Sequence, residues 1–278
     1  MVVRPTTSSS GDLSATKMAM ASSAVHPPHR EFANNARLAL DFVVSKAKSY
    51  KMRLILSLCN NWEDYGGKAQ YVRWGKEAGV DLTSDDDFFS DPTLKGYYKA
   101  FVEILDTVHL VDIGIEGYSG PSTPELLLIN PDDYPGHVGT DFIRNHQALG
   151  IDLASVHIYS DTWLPDSIEE RHVQFVNTWM QQHIDDATNL LAMPIVIEEF
   201  GLSLKDGKFE NEFRKTFMQI VYTNLLGSWE SGMVGGGCLL WQLFPEGAEH
   251  MDDGYAVIFA KSPSTFNLLA NHSRKLEC

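Results

Sequence analysis

The chain has 278 residues, 44% of them apolar, enough to bury a core as one large α/β domain or two small ones. Its 22 Lys and Arg are outnumbered by 37 Asp and Glu, a formal net charge of -15, so nucleic acid is not an expected partner: neutralising phosphates takes clustered cations. There is no run of 18 apolar residues and hence no expected membrane span, and Cys59, Cys238 and Cys278 are too far apart for a disulfide framework or a zinc spacing.

Residues 1–34 are rich in Ser, Thr and Ala, have no helical or strand periodicity and no continuous apolar segment of a secretory signal, and are expected to be a disordered or poorly packed lead-in. An amphipathic helix is expected over 35–50, followed by a buried strand over 53–58 that empties into the polar, glycine-bearing loop Asn60-Asn-Trp-Glu-Asp-Tyr-Gly-Gly. Ser90-Asp-Pro-Thr supplies capping side chains and a proline for a first turn, opening a helix to about Leu105. Strands are then expected over 109–115, ending near Glu116, and over 153–158, ending in His157 and Tyr159. Helical periodicity over 166–191 leads into a strand at 194–198, and a second helix over 213–226 leads into a last strand at 237–243 with Trp241 at its exit. Cys59 and Cys238 lie inside apolar strand-like runs and read as buried hydrophobes.

Helices alternating with buried strands imply a parallel α/β sheet, and polar tips at successive strand ends suggest the C-terminal face of a (β/α)8 TIM barrel. Only five strands are found where a closed barrel needs eight. No glycine-rich phosphate loop follows any of them, so a nucleotide-binding open sheet is not indicated.

The stretch Met193-Pro-Ile-Val-Ile-Glu-Glu-Phe-Gly is central: an apolar β-branched run that ends in two carboxylates. Period-2 alternation puts Ile195, Ile197 and Glu199 on one face and Val196 and Glu198 on the other, so only one glutamate should reach a common centre, and alternation does not say which. If the strands are neighbours, Glu116, His157, Tyr159, Glu199 and Trp241 gather on one rim. Such a set suits glycoside hydrolysis, which needs two carboxyl groups and aromatic faces for sugar rings. Each residue alone has a structural explanation, Trp241 as core packing and Glu116 as a solvated loop acid. It is their joint occurrence at strand exits that favours chemistry. A metal site would need a second nearby histidine, which the His-x-Tyr spacing does not provide.

The segments Arg53-Leu-Ile-Leu-Ser-Leu-Cys-Asn-Asn-Trp, Leu82-Thr-Ser-Asp-Asp-Asp-Phe-Phe-Ser-Asp-Pro, Val138-Gly-Thr-Asp-Phe-Ile-Arg-Asn-His-Gln, Val156-His-Ile-Tyr, Glu199-Phe-Gly and Leu240-Trp-Gln-Leu-Phe resemble plant endo-β-1,4-mannanases of glycoside hydrolase family 5, over residues 37 to 275. The resemblance implies the (β/α)8 barrel of an enzyme that cleaves internal β-1,4 linkages of β-mannan with retention, without metal or cofactor, and implies secretion to the cell wall; with five of eight strands found, residues 35–278 are expected to be a partial, incomplete barrel glycosidase domain. It makes Glu199 the nucleophile with Glu198 facing outward, His157 and Tyr159 the residues that orient it, and Trp241 the platform under the sugar, with Trp163 as a further sugar-binding aromatic.

Two departures stand beside these matches. The family's acid/base glutamate lies in an Asn-Glu-Pro motif, and that tripeptide is absent; the one Asn-Glu is Asn211-Glu212, at an expected helix start. Tyr98-Lys-Ala-Phe-Val-Glu-Ile-Leu-Asp runs directly into Val108-His-Leu-Val-Asp-Ile-Gly, as if an internal block were deleted near 102–105. An arginine that the family places near the nucleophile also has no match in 1–36. Glu116, at the end of the next strand, is the nearest substitute acid. The expected activity is therefore that of a mannanase impaired by a missing acid; the alternatives are a non-catalytic glycan binder using Trp241, Trp163 and Tyr159, or a non-functional product of splicing or gene assignment.

Overall fold

The computed structural model describes residues 42–50, 54–55, 67–104, 110–133, 139–205 and 207–275. The expected lead-in at 1–34 lies outside them, as do Cys59, residues 60–66 of the polar loop, and all of the strand expected over 53–58 except residues 54 and 55, which are not in a strand. The chain divides into two compact units between Val108 and His109.

In the first unit, residues 42–49 form a helix, α1, within the span expected to be helical. Helices α2 (Lys68–Glu77) and α3 (Pro92–Ile104) follow, with a 3₁₀ turn, Asp85–Phe89, between them. As the capping pattern predicts, α3 opens on Asp91, whose Oδ1 accepts from the backbone N–H groups of Thr93 (2.8 Å) and Leu94 (3.1 Å), with Pro92 in the first turn where no donor is needed. The unit closes on a small core of Tyr71, Val72, Leu82, Phe88 and Leu94, in which the Tyr71 ring packs on Phe88 and Tyr98.

The second unit carries the sheet. Strand β1 (Ala154–Ile158) follows a short helix, α4 (Phe142–His146), and leads through α5 (Ser160–Trp163) into the long helix α6 (Glu169–Asp186). A π turn, Ala187–Leu191, ends α6, and β2 (Ile195–Phe200), α7 (Asn211–Glu230) and β3 (Gly235–Leu240) complete a repeated strand–helix alternation. The three strands are parallel and in sequence order β1-β2-β3. Adding each strand beside the last, with a helical crossover, is how a barrel is wound, whereas a doubly wound sheet reverses its order at a switch point.

Burial explains which faces meet. Val176, Trp179, Met180 and Ile184 of α6 and Phe217, Met218, Val221, Tyr222 and Leu225 of α7 share one core with Ala154, Val156 and Ile158 of β1 and Ile195, Ile197 and Phe200 of β2. Trp179 is fully buried, and its indole N–H donates to the His157 carbonyl at 3.1 Å, tying α6 to the end of β1. Arg214 is buried on α7 and donates to the carbonyls of Leu202 (2.9 Å), Gly254 (2.7 Å) and Ala256 (3.2 Å), fastening the exit of β2 to a later turn. Beyond β3, β4 (Leu243–Phe244) pairs in parallel with β5 (Val257–Ile258), and α8 (Pro263–Lys275) ends the described chain. Cys238 on β3 is half-buried, 3.8 Å from His272 Nε2, and burial pushes its thiol pKa up to about 12, so it stays protonated as an apolar-like side chain.

The strand expected over 109–115 is corrected: residues 110–115 are not in a strand. The backbone groups that a ladder would use go elsewhere. Val111 N–H donates to the Asp152 carboxylate and Gly114 N–H to Asp112, and Gly114 and Gly117 have φ of +54° and +104°, outside extended geometry. One link to the sheet remains, the His157 N–H to Glu116 carbonyl bond at 3.1 Å. The last strand stops at Leu240 rather than 243, because the chain leaves the sheet there and re-pairs at Leu243 with Val257.

Replacing Trp179 with alanine removes the largest side chain of this core and the N–H that holds the His157 carbonyl. We expect a loss of about 3–5 kcal/mol of unfolding free energy, read from urea denaturation, and a smaller loss for Trp179→Phe, which keeps most of the volume.

Candidate active site

The site is set by an irregularity in β2. Strand β1 pairs with it in simple register, Ala154 with Ile195 and Val156 with Ile197, and then slips so that His157 faces Glu199; on the other side, β2 and β3 shift register between Ile197 and Phe200. Ile197 and Phe200 are both fully buried against the helices. They are three residues apart, where strict alternation allows two, so two side chains rather than one lie off the helix-packed face between them. Those side chains are Glu198 and Glu199. Glu198 Oε2 lies 3.8 Å from His157 Nε2, and Glu199 Oε2 lies 3.8 Å from His157 Nδ1. This corrects the expectation that only one glutamate reaches the centre and that Glu198 faces outward: Glu198 is 18% exposed, Glu199 is 34% exposed, and both border the same imidazole.

Tyr159, one residue beyond β1, donates its hydroxyl to Glu199 Oε2 at 2.7 Å. Burial and the Glu199 charge both raise the Tyr159 pKa, so the hydroxyl keeps its proton and remains a donor. Burial alone would discharge His157, but the carboxylates of Glu198, Glu199 and Glu116 outweigh it and hold the imidazole pKa above its ordinary 6.5. Glu116 is brought beside this group by its backbone bond to His157. Burial lifts the Glu116 carboxyl above its usual range, His157 draws it down, and Asp132 and Glu199 push it up again.

Sequence reasoning missed Asp112, whose pKa is pushed up to about 6, first by burial and then by the Glu198 charge. Its place in an Asp-x-Gly turn just ahead of Glu116 was the available signal.

Trp241 stands at the exit of β3, half-buried, with its backbone N–H on the Phe200 carbonyl at 2.9 Å and its indole N–H on Asp253 Oδ2 at 3.1 Å. Gly201 lies beneath this exit; a Cβ there would meet the Trp241 carbonyl oxygen at 2.6 Å and the Tyr255 ring at 2.7 Å, which is the physical reason for glycine after Glu-Glu-Phe. Trp163 contacts Tyr159 at 6.4 Å between ring centres, but its other aromatic neighbours, Tyr118, Phe175 and Trp179, are core residues. The Asn211-Glu212 pair opens α7, and Glu212 is 80% exposed and paired with Lys215 at 2.5 Å. It is not part of this constellation. Among the described residues no group of three or more His, Cys, Asp or Glu side chains could hold a metal ion.

The three parallel strands and their gathered ends define, among the described residues, part of a β/α barrel. It is similar to the solved hyperthermostable endo-1,4-beta-D-mannanase from Thermotoga petrophila RKU-1, with a TM-score of 0.66, 23% identity, and coverage of 86% of this chain and 79% of that one. It is also similar to the endo-1,4-beta-mannanase from Rhizomucor miehei, with a TM-score of 0.59, 20% identity, and coverage of 85% of this chain and 75% of that one. No family model matches the chain.

Mannan endo-1,4-beta-mannosidase 8 of Oryza sativa subsp. japonica is 64% identical over 292 residues, covering 86% of this chain and 78% of the relative. Mannan endo-1,4-beta-mannosidase 7 of the same plant is 63% identical, covering 86% of this chain and 77% of the relative. The chain belongs to the plant mannan endo-1,4-β-mannosidase family. A match of 292 residues is longer than the 278-residue chain itself, so it spans positions that the relative has and this chain lacks.

Because the folded His157 pKa is raised, its contribution to stability is fully present below the ordinary value of 6.5 and is lost as pH rises through the folded value. A ¹H–¹³C NMR titration of His157 should therefore show a midpoint above 6.5. Glu198→Gln should bring that midpoint down, and an unmoved midpoint would mean that Glu198 does not face the ring.

Proposed function

We propose that this chain acts on β-1,4-mannan as a retaining endo-β-mannosidase that has kept its nucleophile and lacks a dedicated general acid. The observation that carries the reading is Glu199, held by the Tyr159 hydroxyl at 2.7 Å beside His157 and Glu198. A donor on Oε2 leaves the other carboxylate oxygen free to attack. In the first step a Glu199 oxygen bonds to C1 of a mannosyl unit while the C1–O bond to the next sugar breaks. The departing oxygen must take up a proton. In a complete two-carboxylate site a second acid supplies it, and general acid–base catalysis contributes about 10²–10⁴-fold. The absent Asn-Glu-Pro motif supports slow departure of a sugar alkoxide. We take Glu116 as the candidate to give that proton weakly, a reading supported by its backbone bond to His157 and by the burial that raises its carboxyl pKa. Water then attacks C1 as the C1–O bond to Glu199 breaks, its proton passing to the Glu116 carboxylate or to solvent, which releases mannose-terminated product and restores the Glu199 carboxylate.

Trp241, Tyr159 and Trp163 offer aromatic faces for mannosyl rings, and the missing acid favours a second reading in which the chain binds mannan and scarcely cleaves it. The place of action that goes with this substrate is the cell wall after secretion, checked by immunodetection in wall fractions. Among the described residues no helix is long and apolar enough to cross a membrane.

Leaving-group chemistry tests the central claim. A dinitrophenyl β-mannobioside needs no protonation of its leaving group, so its bond should be cleaved with release of dinitrophenolate, while galactomannan should be hydrolysed about 10²–10⁴-fold more slowly than by a complete relative. Glu199→Ala should abolish both reactions. Galactomannan hydrolysis at the rate of a complete relative would sink the missing-acid claim; no release from the aryl substrate, with mannohexaose still bound, would leave binding alone.

A further inference from the structure

We propose that Asp253 is a positioning residue of this site, one that sets the plane of Trp241 and joins it to the support of Tyr159. The inference rests on the mannan-binding reading above and adds to it a residue outside the strand tips.

Asp253 lies in the turn between β4 and β5, and one of its oxygens, Oδ2, accepts from two neighbours at once, Trp241 Nε1–H at 3.1 Å and Gln242 Nε2–H at 3.1 Å. Its other oxygen accepts from the Tyr255 backbone N–H at 3.1 Å. Two donors converging on one oxygen while a third meets the other require a group that only accepts, which a carboxylate is and an amide is not. The indole has a single polar atom, and fixing it leaves the ring little freedom about its two side-chain torsions. A ring meant to lie flat against a sugar needs that constraint, because stacking depends on the plane being held.

The turn that carries Asp253 is itself rigidly held. Asp252 Oδ1 accepts from the N–H groups of Gly254 (2.7 Å) and Ala256 (3.1 Å), and the buried Arg214 donates to the carbonyls of the same two residues. Tyr255, anchored through its N–H on Asp253, donates its hydroxyl to Asp161 Oδ2 at 2.7 Å and sets its ring edge-on to Tyr159 at 5.4 Å. Tyr159 in turn holds Glu199. One short turn therefore carries both the sugar platform and a buttress for the residue that orients the carboxylate. Asp253 is solvent-exposed, and it differs from an ordinary surface acid in the two sides it holds at once.

A double-mutant cycle with Asp253→Asn and Trp241→Phe tests the inference, because phenylalanine keeps an aromatic face and removes the N–H. In the Trp241 background, Asp253→Asn should weaken mannohexaose binding, measured by calorimetry, about fivefold. In the Trp241→Phe background the same change should have an effect of less than about 1.5-fold, since the partner is gone. The Trp241 indole N–H resonance, identified by its absence in Trp241→Phe, should move upfield in Asp253→Asn while the thermal midpoint changes little. Equal losses in both backgrounds, or an unmoved indole resonance, would overturn the inference. If the unaltered protein binds no mannohexaose, the functional reading fails by itself, and the resonance still decides whether Asp253 holds the ring.

Discussion

The second unit depends on the spacing of two buried side chains in β2. Ile197 and Phe200 both anchor in the helix-facing core, and the extra residue between them forces the register slips toward β1 and β3. With strict alternation one glutamate would have been driven into the apolar layer, where an ionised carboxylate is strongly disfavoured. The irregularity turns both outward from that layer to the same histidine. Packing energy in the core thus fixes the geometry of the polar end, a common use of bulges beside functional sites.

The supports of this end come from different distances along the chain. The α6 helix holds the His157 backbone through Trp179, α7 holds the exit of β2 through Arg214, and the turn after β4 holds Trp241 through Asp253. Each support pairs a side-chain N–H donor with a backbone or carboxylate acceptor. Glu199 is thereby placed by a frame that is buried at Trp179 and Arg214 and open to solvent at Asp253.

The electrostatics are those of a site rich in carboxylates with one imidazole among them. Glu116, Glu198 and Glu199 all act on His157, and Asp112 feels Glu198, so protonation of one changes the others. A strand needs hydrogen-bonding neighbours, and residues 110–115 satisfy part of their backbone with the side chains of Asp112 and Asp152 instead.

Much of this was legible in the sequence where the controlling forces are local. Apolar periodicity placed α6, α7, β1, β2 and β3 within a few residues, and the run Ile-Val-Ile-Glu-Glu-Phe-Gly marked a strand delivering carboxylates to its end. The motifs around His157, Tyr159, Glu199 and Trp241 led to the family, and the absence of Asn-Glu-Pro was visible by inspection. Tertiary structure alone decided what depends on partners far along the chain. It freed Glu199 from the helix-packed face that strict alternation would have given it beside Ile197, and so set it next to Glu198 at the same imidazole, because ladder register answers to packing on two sides; it took residues 110–115 out of the strand because their backbone groups found other acceptors and donors, and it brought Asp253 to the indole of Trp241. Periodicity within one segment contains no record of which distant group will complete a hydrogen bond, and at this site those distant bonds set the geometry.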